Sequence, residues 1–276
     1  MHVSPALAQF DVTAFDELAG TYDQVFTQTV IGRAQREAVW RELDKCFRVG
    51  QRVLDINCGT GADAIHLAQR GVQVVACDAS PEMILAARRQ AQEAGVQHRA
   101  EFIALKTENI FMLDKNFQFD GLLSNFGGLN CSRDVSDIAV DLAPLLRPGA
   151  RVFICVFSRF CAWEILWYLL HANPEKAFRR FGPVTKASLG DGRVIPVYRH
   201  TARSLTSAFA PYFRFKGRKG VGISVPPSYV ERLAIRLPRG MAAAKSLDRL
   251  VSAWPFFRSI ADHNLMMFER TESCPQ

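Results

Sequence analysis

The sequence predicts an α/β fold on a doubly wound, mostly parallel sheet of seven strands, interrupted by an inserted aromatic-rich cap. Three observations carry that reading. Short apolar runs alternate with amphipathic helical stretches between residues 52 and 157. A Gly-x-Gly turn, Gly59-Thr60-Gly61, joins the first apolar run to a helical pattern. The connections are long enough for crossover helices, which in a parallel sheet run right-handed.

The elements follow in order. Residues 33–47 put Val39, Trp40, Leu43 and Phe47 on one helical stripe, and Gly50 ends it. Strand 52–57 is followed by helix 62–70, strand 73–78 and helix 80–94, with Ser80 as N-cap and Pro81 in the first turn. Strands 101–105 and 119–125 come next, then helix 134–146 closed by Arg147-Pro148-Gly149, then strand 151–157. There the alternation breaks. An aromatic helix (Phe160, Trp163, Trp167, Tyr168), a basic helix start near Pro174 and a hairpin about Gly190-Asp191-Gly192 read as an insertion. Helix 201–209 and the alternating run Phe213-Arg214-Phe215-Lys216, a strand with its phenylalanines inward, return to the sheet pattern. Helices 227–236 and 242–253 and strand 265–269 complete it. Three parts are expected: residues 1–157 as lid and core, 158–200 as cap, and 201–276 as completion of the sheet.

Composition narrows the function. Of 276 residues, 49% are apolar and 22% charged, which excludes a disordered chain or a coiled coil. The net charge of +7 is spread, with loose clusters at 214–219 and at Arg232, Arg236 and Arg239, and reads as solubility charge and not as a nucleic-acid surface. Seven cysteines form no Cys-x-x-Cys pair, so neither a zinc site nor a disulfide framework is expected; reduced thiols imply a reducing compartment. The longest apolar stretch, 160–172, is broken by Glu164 and too short to span a bilayer, and residues 1–15 lack a signal-peptide run. A soluble, cytoplasmic protein without a resident metal is expected.

The most informative stretch is Val53-Leu54-Asp55-Ile56-Asn57-Cys58-Gly59-Thr60-Gly61. Glycines at this turn let the backbone approach a ligand at the carboxyl end of the first strand. The third glycine of the dinucleotide fingerprint is missing, since Ala62-Asp63-Ala64 follows. Asp55, just upstream, would repel a pyrophosphate and attract an ammonium with a sulfonium close by, which selects S-adenosyl-L-methionine as the ligand. Asp78 ends the second strand, where a carboxylate can accept both ribose hydroxyl protons.

With these residues in place, the sequence resembles the class I S-adenosylmethionine-dependent methyltransferases. The resemblance runs through residues 53–61, Asp78-Ala79-Ser80-Pro81-Glu82-Met83, and Leu145-Leu146-Arg147-Pro148-Gly149, and covers about residues 15–157. It implies a Rossmann-like sheet whose last strand is antiparallel. It further implies that Asp55, Gly59 and Gly61 hold the methionine moiety, Asp78 the ribose, and Met83 neighbours the adenine; Asn57 and Ala79 are further cofactor-binding candidates. The segment Phe15 to Asp23 looks like the family's N-terminal lid, with Tyr22 over the cofactor. Where many members place an aspartate for the adenine amino group, this chain has Lys106, which cannot accept a proton, so Thr107, Glu108 or backbone groups are the adenine candidates.

On the acceptor side, Asn125 and Asn130 flank Gly127-Gly128 after the fourth strand, where cofactor and acceptor meet in the family. The Asn/Asp-Pro-Pro-Tyr/Phe signature of nucleic-acid amino-methylases is absent, which favours a small-molecule acceptor. Asn125 is a cofactor candidate; Asn130, Tyr168 and His263 are the catalytic candidates, with His171 and His200 as further histidines. The cap aromatics either form the cap's own core or line a pocket over the sulfonium. Methyl transfer is the expected reaction. Cyclisation of the cofactor with loss of methylthioadenosine, as in the azetidine-2-carboxylate synthases, and a non-catalytic nucleoside-binding scaffold are the alternatives.

Overall fold

The computed structural model describes residues 13–188 and 194–272. In chain order its helices are α1 (Thr13–Leu18), α2 (Val30–Cys46), α3 (Ala62–Gln69), α4 (Pro81–Glu93), α5 (Val135–Leu142), α6 (Ala162–Leu170), α7 (Pro174–Phe178), α8 (Ala202–Phe209), α9 (Glu231–Arg236), α10 (Pro238–Val251) and α11 (Pro255–Ser259). The strands are β1 (Arg52–Ile56), β2 (Gln73–Asp78), β3 (Ala100–Ala104), β4 (Phe119–Ser124), β5 (Leu146–Phe157), β6 (Val184–Ser188), β7 (Val194–Tyr198), β8 (Phe213–Val221) and β9 (His263–Arg270).

Seven strands form one sheet in the order β3-β2-β1-β4-β5-β9-β8. β1 through β5 pair in parallel, and β9 runs antiparallel to both β5 and β8, so the last strand is the reversed one. The alternation of side chains along a strand sorts the core into two layers. Val53, Val74 and Ala76 face α2, α3 and α4, packing with Val39, Leu67 and Ile84. Leu54, Ile56 and Val75 face the other way, onto Ile138 and Leu142 of α5 and Phe209 of α8. By the same period, Asp55 points to the α2–α3 side.

Local signals set most boundaries. The Ser80 hydroxyl accepts from the Met83 amide at 3.1 Å with Pro81 next in line, and Thr29 and Thr201 cap α2 and α8 in the same manner. Two readings are corrected. The helix expected over 134–146 ends at Leu142, because Pro144 has no amide to donate; a 3₁₀ turn, Ala143–Leu145, follows, and Leu146 already pairs with Phe119. In β8, Phe213 is buried, but Phe215, on the same face with its ring 5.6 Å from that of Phe268, stays 41% exposed on the sheet's edge strand.

Residues after Phe157 form α6, α7 and an antiparallel β6–β7 pair; the turn about Gly190 to Gly192 lies outside the described residues. Between β8 and β9 a second helical excursion, α9 to α11, packs on the start of α2, where Ile31 and Ala34 meet Val225, Val230 and Met241, with Trp167 of α6 against them. Two carboxylates tie it down. Asp248 accepts from the amides of Ile223, Ser224 and Val225 at 3.1, 2.6 and 3.3 Å. Glu231 reaches across about 200 residues of chain to accept from the Val30 and Ile31 amides at 2.6 and 3.0 Å, satisfying orphan donors at the α2 N-terminus. Replacing Glu231 by alanine should cost about 1–2 kcal/mol and lower Tm by a few degrees; an unchanged melt would show that this long-range cap carries no weight.

Candidate functional site

The β1–α3 loop is shaped by backbone that reverses hand three times: Asn57 (φ 60°), Gly59 (φ 55°) and Gly61 (φ 80°) all lie in the left-handed region. At Gly61 a side chain is excluded, since a Cβ would come within 2.8 Å of the Phe102 ring and 2.9 Å of Ala87. The loop therefore lies tight on β3 and α4 and opens a cleft at the carboxyl ends of β1, β2 and β4, where open α/β sheets bind ligands.

Asp78 organises one wall. Its carboxylate accepts from the Gly59 amide at 2.8 Å and the Ser80 amide at 3.0 Å. Burial raises its pKa against the pull of those amides. Ala79 and Met83 extend this wall. On the opposite side lie Asn125, Phe126 and the Gly127-Gly128 pair; a Cβ on Gly128 would meet the Asn57 side chain at 2.3 Å, so the backbone must be bare there. Asn57 is held by its amide donating to Thr107 Oγ1 at 2.6 Å and its oxygen accepting from Ser124 at 3.1 Å.

The lid closes over the top. Phe15 and Tyr22 line the cavity. Asp16 accepts from the Ser80 hydroxyl, Asp23 accepts from Thr60 Oγ1 at 2.6 Å, and the other Asp23 oxygen accepts from Gln90, so the lid docks on the loop and on α4. Burial pushes the Tyr22 phenol up to about 12, and it remains protonated at neutral pH.

Beneath the loop sits a cluster the sequence reading did not assemble. Asp63, at the start of α3, accepts from Arg36 of α2, from Trp40 Nε1 at 2.6 Å and from Asn125 Nδ2 at 3.1 Å, and so is fully engaged. Asp55 is not. It is 1% exposed, its Oδ2 is buried without a hydrogen-bond partner, and it lies under the loop and not among the cavity-lining side chains. Burial, reinforced by the charge of Asp63, drives its pKa well above the ordinary carboxylate value, while Arg36 pulls the other way.

Of the candidate cofactor residues, Tyr22, Asn57, Gly59, Asp78, Ala79, Met83 and Asn125 line one cavity. Asp55 and Gly61 shape it from behind. Thr107 braces Asn57, and Glu108 accepts from the Ser132 hydroxyl at 2.9 Å; neither reaches the cavity wall. The catalytic candidates lie elsewhere. Asn130 is wholly buried, its amide donating to the Tyr198 carbonyl at 2.7 Å and its oxygen accepting from the Phe157 amide at 3.0 Å, so both ends are committed to joining the β4 loop to β5 and β7. Tyr168 stands on α6 beside Tyr229, with the Lys176 and Arg179 cations over its ring. His263 is 3% exposed and sits behind Phe126, ring edge to face at 5.4 Å; burial holds its pKa below the usual imidazole value. The cap aromatics pack among themselves and on the second excursion: Trp163 donates to the Ser224 carbonyl at 3.2 Å, Trp167 lies against the tilted ring of His171, and Phe160 meets Phe181. Lining residues the sequence did not single out include Ser80, Phe126 and Cys131, for which only position after a strand was a signal.

Comparison with known proteins agrees with this geometry. A methyltransferase-domain family model matches residues 53–149. The demethylmenaquinone methyltransferase of Mycobacterium sp. (strain KMS) is 32% identical over 171 residues, 59% of this chain and 68% of that protein. The chain belongs to the class I S-adenosylmethionine-dependent methyltransferases. A tRNA 5-carboxymethoxyuridine methyltransferase of Escherichia coli (strain K12) is 33% identical over 100 residues, 35% of this chain and 38% of that protein. An S-adenosylmethionine-dependent methyltransferase structure from Listeria monocytogenes shares the fold at 16% identity and a TM-score of 0.58, over 84% of this chain and 96% of that one. The chain spans 56–66% of the length of the first curated relatives it matches.

The residues present fit the methyltransferase cofactor. An orphaned buried carboxylate under the loop calls for a cation above it, and the Asp78 carboxylate retains lone pairs for a diol. When bound, S-adenosylmethionine supplies an electrophilic methyl group on a sulfonium. A raised folded pKa means that the stability Asp55 contributes is complete below the unfolded value of about 3.9 and is lost as pH rises through the folded value. Asp55→Asn should therefore raise the Tm of the ligand-free protein at neutral pH while weakening cofactor binding about tenfold or more, and it should flatten the rise of affinity with pH that follows from ionising Asp55. Calorimetry and melts between pH 5 and 8 check this; unchanged affinity, or a lower Tm, would remove Asp55 from the cation-binding role.

Proposed function

We propose that this chain transfers the methyl group of S-adenosylmethionine to a small-molecule acceptor. The observation that carries the reading is the cleft itself, overhung by Phe15 and Tyr22, with a buried carboxylate oxygen left without a partner beneath its glycine loop. A concave site overhung by a lid suits a metabolite better than a polynucleotide. The basic run at 214–219 speaks against a nucleic-acid acceptor as well. It lies on β8, the edge strand farthest from β3, and its Lys216 and Lys219 are paired with Glu269 and Glu42.

The chain's contribution is mainly orientation, because displacement at a sulfonium disperses charge and needs a base only when the nucleophile arrives protonated. Gly127 and Gly128 let Phe157 and Asn57 pack directly on the backbone of this wall, and Asn125 is locked by its bonds to Asp63 and the Phe126 amide. The Tyr22 phenol and the Cys131 thiol, each raised to about 12 by burial, keep their protons at neutral pH. Neither serves as a base. The acceptor best matched to this wall presents a lone pair or an already ionised atom.

Purified protein incubated with S-adenosylmethionine and pooled metabolites should release S-adenosylhomocysteine only when an acceptor is present, followed by mass spectrometry. Methylthioadenosine formed without any acceptor would replace methyl transfer with cyclisation, and tight cofactor binding without product from any pool would indicate a scaffold.

A further inference from the structure

A second cavity lies beneath the cap hairpin, outside the cofactor site. It is a pocket open to solvent, lined by Phe157, Arg179, Arg180, Arg199 and residues of β6 and β7. Its three arginines are not equally satisfied. Glu164, 1% exposed on its side chain, accepts from Arg179 at 2.9 and 3.0 Å and from Arg180 at 2.8 Å. Asp262 accepts from Arg180 at 2.7 Å. Although burial opposes it, these arginines hold Glu164 below the usual carboxylate range, and His263 and Arg180 do the same for Asp262, so both carboxylates are charged. They hold Arg179 and Arg180 from outside the cavity lining.

Arg199 has no such partner. Its Nη2 donates to Thr185 Oγ1 at 2.9 Å, its Nε is buried with no acceptor, and no carboxylate among the described residues pairs with it. Among these groups, three cations face two carboxylates, and His263 is neutral at neutral pH because burial lowers its pKa. One positive charge, on the half-buried Arg199, is left over. A partly desolvated guanidinium without a carboxylate partner favours an anion in the space before it.

The position gives the surplus charge a purpose. The Arg180 and Arg199 guanidinium carbons lie 5.6 and 5.8 Å from the centroid of the Phe157 ring. The same ring presses on Gly127, where a Cβ would meet it at 2.7 Å, and Gly127 lines the cofactor cavity. The two cavities thus share a wall about one ring thick. We propose that the arginine-lined cavity is the acceptor's anion subsite, in which Arg199 receives a carboxylate or phosphate group while the rest of the acceptor extends past Phe157 toward the transferable methyl. This rests on the methyltransferase reading for the identity of the ligand as acceptor, but the anion site itself does not. Burial, with Arg180 adding to it, pulls the Arg199 guanidinium down to about 10, which leaves it charged at neutral pH.

Calorimetric titration with benzoate, phenyl phosphate and the neutral benzamide tests the subsite, with S-adenosylmethionine titrated in parallel. Benzoate or phenyl phosphate should bind at least about tenfold more tightly than benzamide, and the tighter of the two names the acceptor's anionic group. Arg199→Gln should lose about tenfold or more of that affinity, Arg199→Lys should retain part of it, and cofactor affinity should stay within about twofold in both. Equal binding of benzoate and benzamide, no anion binding, or undiminished binding by Arg199→Gln would overturn the proposal. If the glutamine variant shows no cooperative melt, the anion-to-benzamide ratio in the unmodified protein and the lysine variant decide. Loss of cofactor binding with anion binding intact would instead overturn the methyltransferase reading and leave the subsite standing.

Discussion

A carboxylate buried without a partner is the constraint from which the site is built. Asp55 points to the α2–α3 layer because strand side chains alternate, and there it meets Asp63 and the edge of Asp78 with Arg36 as the one nearby cation. Three acids around one arginine make a negative well under a loop whose own backbone is bare. The well disfavours phosphate and favours a positively charged ligand, so the loop that could have served a dinucleotide is committed to a sulfonium nucleoside. The ligand-free protein bears that cost as stability, a common feature of sites whose polar groups await a partner.

What keeps the arrangement from collapsing is the set of hydrogen bonds that Asp63 and the lid make around it. Asp63 accepts from three side chains on three elements, among them Trp40, which stacks on His66 at 4.0 Å. The lid adds Asp16 and Asp23 at the loop's rim. Under the cap, Glu164 and Asp262 knit α6, the segment after α7 and the start of β9 through Arg179 and Arg180. Buried networks of this sort rigidify only when each member is satisfied. Among the described residues the exceptions include Asp55 Oδ2 and Arg36 Nε under the glycine loop and Arg199 Nε and His263 Nδ1 near Phe157.

Much of the core was legible in the sequence because its signals are local. Gly59 and Gly61, the Ser80 cap with Pro81, and the alternation of β1 and β2 act within a few residues, and the strand and helix boundaries there fall within a residue or two of expectation. The cofactor wall was legible for the same reason, since Asp78, Ala79 and Met83 follow directly from the second strand. Less legible were elements whose ends depend on a distant partner. Leu146 leaves its helical pattern to pair with Phe119, and Phe215 stays partly exposed because β8 is the edge strand of the sheet.

By itself the sequence determined the order of strands and helices, the glycine turn and the charge that selects its ligand, all of which are consequences of neighbours in the chain. Only the tertiary structure decided where Asn130, Tyr168 and His263 sit, placing the first as a buried bracket, the second on the cap and the third behind Phe126. It alone also brought Glu231 to the α2 N-terminus and left Arg199 unpaired. A side chain's chemistry depends on which donors, charges and rings surround it, and those come from segments far apart in sequence, so residue type and spacing could nominate these positions but not assign them.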